Sequence, residues 1–221
     1  MKLYTTLGPR TAAELGMILP HEHLFVEFRT PETPGHGEAE ASDVIRLMAP
    51  EIERAQAAGV TAIVDCTPVG VGRRADILRA VSEATGMPIV APTGIYREPW
   101  VPRWALEASE EALRDWMAGE LAGEIAGSGV RAAWVKLSAG DDGITPAEAK
   151  ILRAAARAAR EQDATIGSHT IRGHVAREQI DIIEACGHHA GRFIWIHASA
   201  EEEFGLNLEL ARRGAWIEYD W

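Results

Sequence analysis

The triplet His21-Glu22-His23 follows the apolar run Met17-Ile18-Leu19-Pro20 and precedes Leu24-Phe25-Val26. In a β-strand, residues two apart point to the same face, so His21 and His23 present two imidazoles together while Glu22 turns away. Two neutral imidazoles on one face can chelate a divalent metal. The competing structural reading is a pair of partly buried, hydrogen-bonded histidines. Three further outliers bear on the choice. His169 closes the run Ala164-Thr165-Ile166-Gly167-Ser168, His197 closes Phe193-Ile194-Trp195-Ile196, and Lys136 sits inside the apolar segment Ala132-Ala133-Trp134-Val135-Lys136-Leu137.

Lys136 admits three readings. A buried ammonium is costly and its pKa falls when it is desolvated. It could be paired with a carboxylate such as Asp65, or it could be a Schiff-base lysine. Alternatively, the neutral amine could react with carbon dioxide to give a carbamate, an anionic ligand with two oxygens. Two histidines at each end and a bridging carboxyl group would make a binuclear site, with metals ~3.5–4 Å apart sharing a hydroxide nucleophile.

The elements that must position these residues follow a repeating pattern of short apolar run, turn and amphipathic helix. Strands are expected at 18–26, 60–66, 88–94, 130–138, 164–168, 193–197 and 215–220, many of them rich in β-branched or aromatic residues. Ser42 opens a helix ending at Gly59, Ser109 opens another, and Thr145-Pro146-Ala147-Glu148 reads as a capping box leading a helix to about Gln162. Strands alternating with helices predict an α/β fold with a parallel sheet. A (β/α)8 barrel accounts for the four histidines and the lysine, because the C-terminal ends of barrel strands form the active-site rim. The rival is an open doubly wound sheet, but HEHLFVEF occupies the place where its glycine-rich turn belongs. Segments 29–41 and 96–108, rich in proline and polar residues, are expected to be loops over the barrel mouth.

The remaining histidines carry weaker claims. His188 and His189 are expected to be solvated, His36 lies in a loop, and His174 is expected to be exposed near a helix start. Glu201-Glu202-Glu203 suits a helix N-terminus. Cys66 reads as a small buried hydrophobe.

Composition excludes several function classes. The 221 residues are 47% hydrophobic, enough for a sizeable core, and the formal charge of −11 argues against nucleic acid or an anionic membrane as partner. Two distant cysteines do not form a disulfide framework, no run approaches membrane-spanning length, and the N-terminus lacks a signal-peptide core. A cytoplasmic protein acting on a small molecule is expected.

At these residues the chain resembles the phosphotriesterase-like family of the amidohydrolase superfamily. The resemblance runs from Thr6-Leu7-Gly8-Pro9 through Glu14-Leu15-Gly16 to Leu19-Pro20-His21-Glu22-His23. It continues through Gly94-Ile95-Tyr96, Val135-Lys136-Leu137, Ser168-His169-Thr170 and Ile196-His197, in the family's order. It implies a metal-dependent hydrolase on a (β/α)8 barrel. His21 and His23 would hold the more buried of two divalent transition metals, and His169 and His197 the more exposed one. Lys136, as a carbamate, would bridge them. Zinc is the first expectation, with cobalt, manganese or iron as alternatives. A metal-bridging hydroxide would attack an ester, lactone or phosphotriester, and Tyr96 would face the substrate. A homodimer is expected.

Three departures qualify the resemblance. The family's last ligand is an aspartate ending the eighth strand, whereas this chain stops at Trp221, after the strand that reads as the seventh. A single barrel domain over 1–221, incomplete at its C-terminus, is therefore expected. The segment after His197 is Ala198-Ser199-Ala200, where relatives often carry an aspartate. Arg97-Glu98-Pro99-Trp100 follows Tyr96, unlike the aromatic-rich loop of lactonase members. Asp220 is a weak candidate for a replacement base. Two alternatives follow: a metal-binding barrel with little or no catalysis, and a Schiff-base aldolase centred on Lys136.

Overall fold

Glycines and capping residues punctuate the apolar runs of this chain into short strands, most of them parallel and followed by a helix. A computed structural model describes residues 2–220 and divides the chain into two compact units. Among the described residues, no helix is long and apolar enough to cross a membrane.

The first unit comprises Met1–Thr93 and Glu120–Ala133. It opens with an antiparallel hairpin, β1 (Lys2–Thr5) and β2 (Gly8–Thr11), in which Thr5 pairs with Gly8. Sequence patterning did not predict this hairpin. Three parallel strands follow in the order β3 (Met17–Glu22), β4 (Val60–Asp65) and β5 (Ile89–Val90); β6 (Pro92–Thr93), next along the chain, is not part of this sheet. The hairpin is tied to β5 by Thr6, whose N–H donates to the Ile89 carbonyl at 2.8 Å and whose hydroxyl accepts from the Ile89 N–H at 3.1 Å. Helix α1 (Ala41–Ala57) begins one residue before the expected Ser42. Gly59, with φ +94°, turns the chain out of its C-terminus into β4. Helix α2 (Ala75–Thr85) ends on Gly86 in the left-handed conformation.

The second unit comprises Gly94–Gly119 and Trp134–Trp221. It holds the short helix α3 (Arg103–Glu107), most of α4 (Glu110–Ala122), and four parallel strands in sequence order. These are β7 (Trp134–Ser138), β8 (Ile166–His169), β9 (Phe193–Ile196) and β10 (Trp216–Ile217). Between them lie α5 (Pro146–Glu161), α6 (Gly173–Ala185) and α7 (Phe204–Arg212). The expected capping box opens α5: Thr145 accepts from the Glu148 N–H at 3.2 Å, and Glu148 accepts from the Thr145 N–H at 3.1 Å. Alanines 154, 155, 158 and 159 give α5 a small-residue face that lies fully buried. Gly167 is required by packing, because a Cβ there would stand 2.6 Å from the Trp134 ring. The unit's core gathers Phe193, Trp195, Ile166 and Ile180.

Several strands are shorter than the apolar runs suggested. β3 ends at Glu22, so His23 lies one residue beyond it, and the 88–94 run divides into two two-residue strands. The 96–108 loop contains α3. His188 is buried, contrary to the expectation that it would be solvated, whereas His189 and His174 are exposed. Glu201 also departs from expectation. Its carboxylate accepts from the Gly173 N–H at 2.6 Å, capping the start of α6 rather than simply decorating the helix that follows it. Cys66 is buried as expected, and both cysteines are free thiols.

Candidate metal centre

His21 and His23 belong to the first unit. Their ring centroids lie 5.3 Å apart with planes at 65°. His23 Nδ1 is 2.8 Å from the Thr67 hydroxyl. An imidazole held at Nδ1 by an outer partner is oriented to ligate through Nε2. Asp65, fully buried at the end of β4, braces the same turn. Its carboxylate accepts from the Leu24 N–H at 3.1 Å and the Thr67 N–H at 3.0 Å, fixing the backbone after His23 and beneath its hydroxyl partner.

Lys136, His169, His197 and Tyr96 belong to the second unit. Lys136 lies in the middle of β7 and is 1% exposed. The parallel register pairs Lys136 with Gly167 and Ser138 with His169, so the histidine ends β8 while the lysine sits two residues back from the C-terminal end of the neighbouring β7. His197 follows β9 immediately and adopts φ +68°, ψ +27°, a left-handed conformation uncommon for a residue with a Cβ. The rings of His169 and His197 are 4.5 Å apart at 78°.

His197 Nδ1 lies 2.7 Å from Asp220 Oδ2. The Ser199 hydroxyl donates to the Asp220 carbonyl at 2.9 Å, and the Ala198 N–H donates to the Glu218 carbonyl at 3.0 Å. The turn after β9 and the segment after β10 thus hold each other and fix the strained His197. Burial, reinforced by the Lys136 charge, lowers the His197 pKa, while Asp220 and Glu218 oppose the shift. Burial pushes the Glu218 carboxyl up to about 7, with Lys136 pulling the other way.

Tyr96 is buried, and its ring meets those of His169 at 5.5 Å and Trp100 at 5.6 Å. Its placement depends on Gly94. That residue has φ +111°, and a Cβ on it would fall 2.0 Å from the Lys136 carbonyl oxygen. Only glycine lets the chain pass the lysine's backbone so closely. Burial raises the Tyr96 pKa, an effect that Ser138 and Arg97 oppose.

Within the second unit the structure therefore brings together Lys136, His169, His197 and Tyr96. Asp220 stands beside His197 as its hydrogen-bond partner. Sequence reasoning did not single out Thr67 or Glu218. Glu218 had a signal of the same kind as Lys136, a charged residue within the apolar and aromatic run Trp216-Ile217-Glu218-Tyr219. A threonine supporting a histidine across 44 residues has no local signature.

A family model described as the phosphotriesterase family matches residues 1–221. A phosphotriesterase homology protein of Mycobacterium tuberculosis is 30% identical over 230 residues, covering 99% of this chain and 70% of the relative. An aryldialkylphosphatase of Saccharolobus solfataricus is 30% identical over 208 residues, covering 94% of this chain and 66% of the relative. Among solved structures, a variant of the organophosphorus hydrolase from Deinococcus radiodurans superposes with a TM-score of 0.89 at 32% identity, covering 98% of this chain and 67% of that one.

Proposed function

This chain belongs to the phosphotriesterase family and has its α/β barrel class of fold; on that footing we propose that it is a metal-dependent hydrolase of phosphotriesters, lactones or related esters. The proposed ligands are His21, His23, His169, His197 and a carboxylated Lys136, holding two divalent metals with zinc foremost. The observation that carries this reading is the buried Lys136 on β7, with the His169 and His197 rings 4.5 Å apart at the neighbouring strand ends.

The residues suit the group. Imidazole nitrogens and carboxylate-type oxygens are the donors that divalent transition metals take. Both His23 and His197 have Nδ1 beside an outer oxygen, Thr67 Oγ1 and Asp220 Oδ2, the arrangement that orients ligating histidines. When bound, divalent metals supply Lewis-acid polarisation and lower the pKa of water.

The chain's own groups supply the rest. Asp220 holds the His197 tautomer with the proton on Nδ1. Glu218, whose carboxyl is raised by burial, acts on the His197 charge from the same segment. Tyr96 forms a wall against His169 and positions substrate there.

The test joins metal analysis to turnover. The protein grown with zinc or cobalt and bicarbonate should carry about two metals per chain, and Lys136→Ala should lose them. It should hydrolyse at least one chromogenic phosphotriester, aryl ester or lactone. A chain without metal after such growth, or trapping of Lys136 by borohydride with a carbonyl substrate, would overturn the proposal.

A further inference from the structure

Arg97 directly follows Tyr96, and its guanidinium acts on the phenol. The Arg97 guanidinium carbon stands 5.7 Å from the centroid of the Trp100 ring, and Nη1 runs beside Gly140. Its Nε is buried and has no hydrogen-bond partner among the described residues. Arg103, Arg153 and Arg213 in the same unit each reach a carboxylate at 2.7–2.8 Å, and Arg97 forms no such pair among the described residues.

The nearby carboxylates are otherwise engaged or turned outward. Glu148 spends both oxygens on backbone N–H groups, those of Glu98 at 3.2 Å and Thr145 at 3.1 Å, and Glu98 itself is exposed. A buried guanidinium N–H without an acceptor carries a desolvation cost that a bound acceptor would remove. Trp100 lies beside the guanidinium, and its ring also meets that of Tyr96, which borders His169.

We propose that Arg97 is a specificity-determining residue that recognises a carboxylate on the substrate, so that the preferred substrates are esters or lactones carrying a negative charge a few bonds from the scissile carbonyl. The inference rests on the hydrolase reading above and narrows its substrate class. A carboxylate is the chemistry that fits. A guanidinium offers N–H groups in a planar fork, and a planar two-oxygen acceptor matches that fork where a neutral alkyl group does not.

The test compares two chromogenic esters of similar size, mono-4-nitrophenyl glutarate and 4-nitrophenyl pentanoate, on the metal-loaded protein and its Arg97→Gln and Arg97→Lys variants. The unmodified protein should favour the anionic ester in kcat/KM. Arg97→Gln should reduce that ratio by about tenfold to a hundredfold, and Arg97→Lys should restore part of it. Glutarate itself, titrated calorimetrically, should bind Arg97→Gln about tenfold or more weakly than the unmodified protein. A preference for the neutral ester, or an unchanged ratio in Arg97→Gln, overturns the inference. If neither ester is hydrolysed, the hydrolase reading suffers, and the glutarate titration still decides this point: equal affinity in both proteins overturns it.

Discussion

His197 and Asp220 form a hydrogen-bonded pair, Nδ1 to Oδ2 at 2.7 Å, across a turn that Ser199 closes onto the Asp220 carbonyl. Asp220, in the segment after β10, is thus a direct partner of that imidazole. It fixes the ring orientation of a histidine whose backbone already lies in the left-handed region. If His197 is a metal ligand, Asp220→Ala should weaken metal binding about 10- to 100-fold. Competition with a chelator measures this directly, without reference to turnover. An affinity equal to that of the unmodified protein would show that Asp220 does not orient the ligand.

This relationship was only partly legible in the sequence. His169 and His197 could be placed because apolar strands end on them, and Lys136 because a charge interrupts an apolar run. Asp220 was visible as a carboxylate near a strand end. Its partner was not, because β10 contains only Trp216 and Ile217 and the pairing runs through a turn with no sequence signature. The capping box at Thr145 is legible because all of its interactions are local. The burial of His188 is not legible, because the helix-to-strand connection looks polar while tertiary packing decides what covers it. The β1–β2 hairpin escaped because its strands lack clear alternation and its anchor, Thr6, bonds to Ile89 far along the chain.

Gly94 sets the position of Tyr96, and Gly94→Ala should expose that dependence. The added methyl meets the Lys136 carbonyl at 2.0 Å, and φ +111° is unfavourable for alanine. Stability should fall by about 2–4 kcal/mol in chemical denaturation. Any folded fraction should show altered near-ultraviolet dichroism as Tyr96 shifts against Trp100. A neutral outcome would mean that the loop moves aside at little cost.

In the first unit, Arg73 and Glu120 form a buried two-pronged ion pair at 2.5 and 2.8 Å, with Thr93 donating to Glu120 at 2.6 Å and the Pro92 carbonyl accepting from Arg73 at 3.2 Å. Both side chains are under a tenth exposed. Glu120→Ala removes the carboxylate that both prongs of the buried Arg73 guanidinium engage and should cost about 3–5 kcal/mol. The double variant Arg73→Met with Glu120→Leu should be less destabilised than Glu120→Ala, because it leaves no buried charge. Urea denaturation of the single and double variants tests the ordering. A double variant less stable than the single would show that the pair itself, rather than the buried charge, carries the stability.

His188 gives the protein an acid-sensitive element away from the candidate centre. Its ring is buried, its Nε2 has no hydrogen-bond partner among the described residues, and burial, reinforced by His189, lowers its pKa below the ordinary 6.5. A lowered imidazole pKa means that the folded state favours the neutral ring. Between the folded and unfolded values the unfolded chain binds more protons, so stability rises with pH across that window. The contribution is fully present above about pH 6.5 and is lost as pH falls toward the folded value. The melting temperature of the unmodified protein should therefore drop more steeply between pH 7 and pH 5 than that of His188→Phe, which keeps an aromatic ring and cannot titrate. Parallel melting curves for the two proteins over this range would show that His188 does not carry the acid dependence.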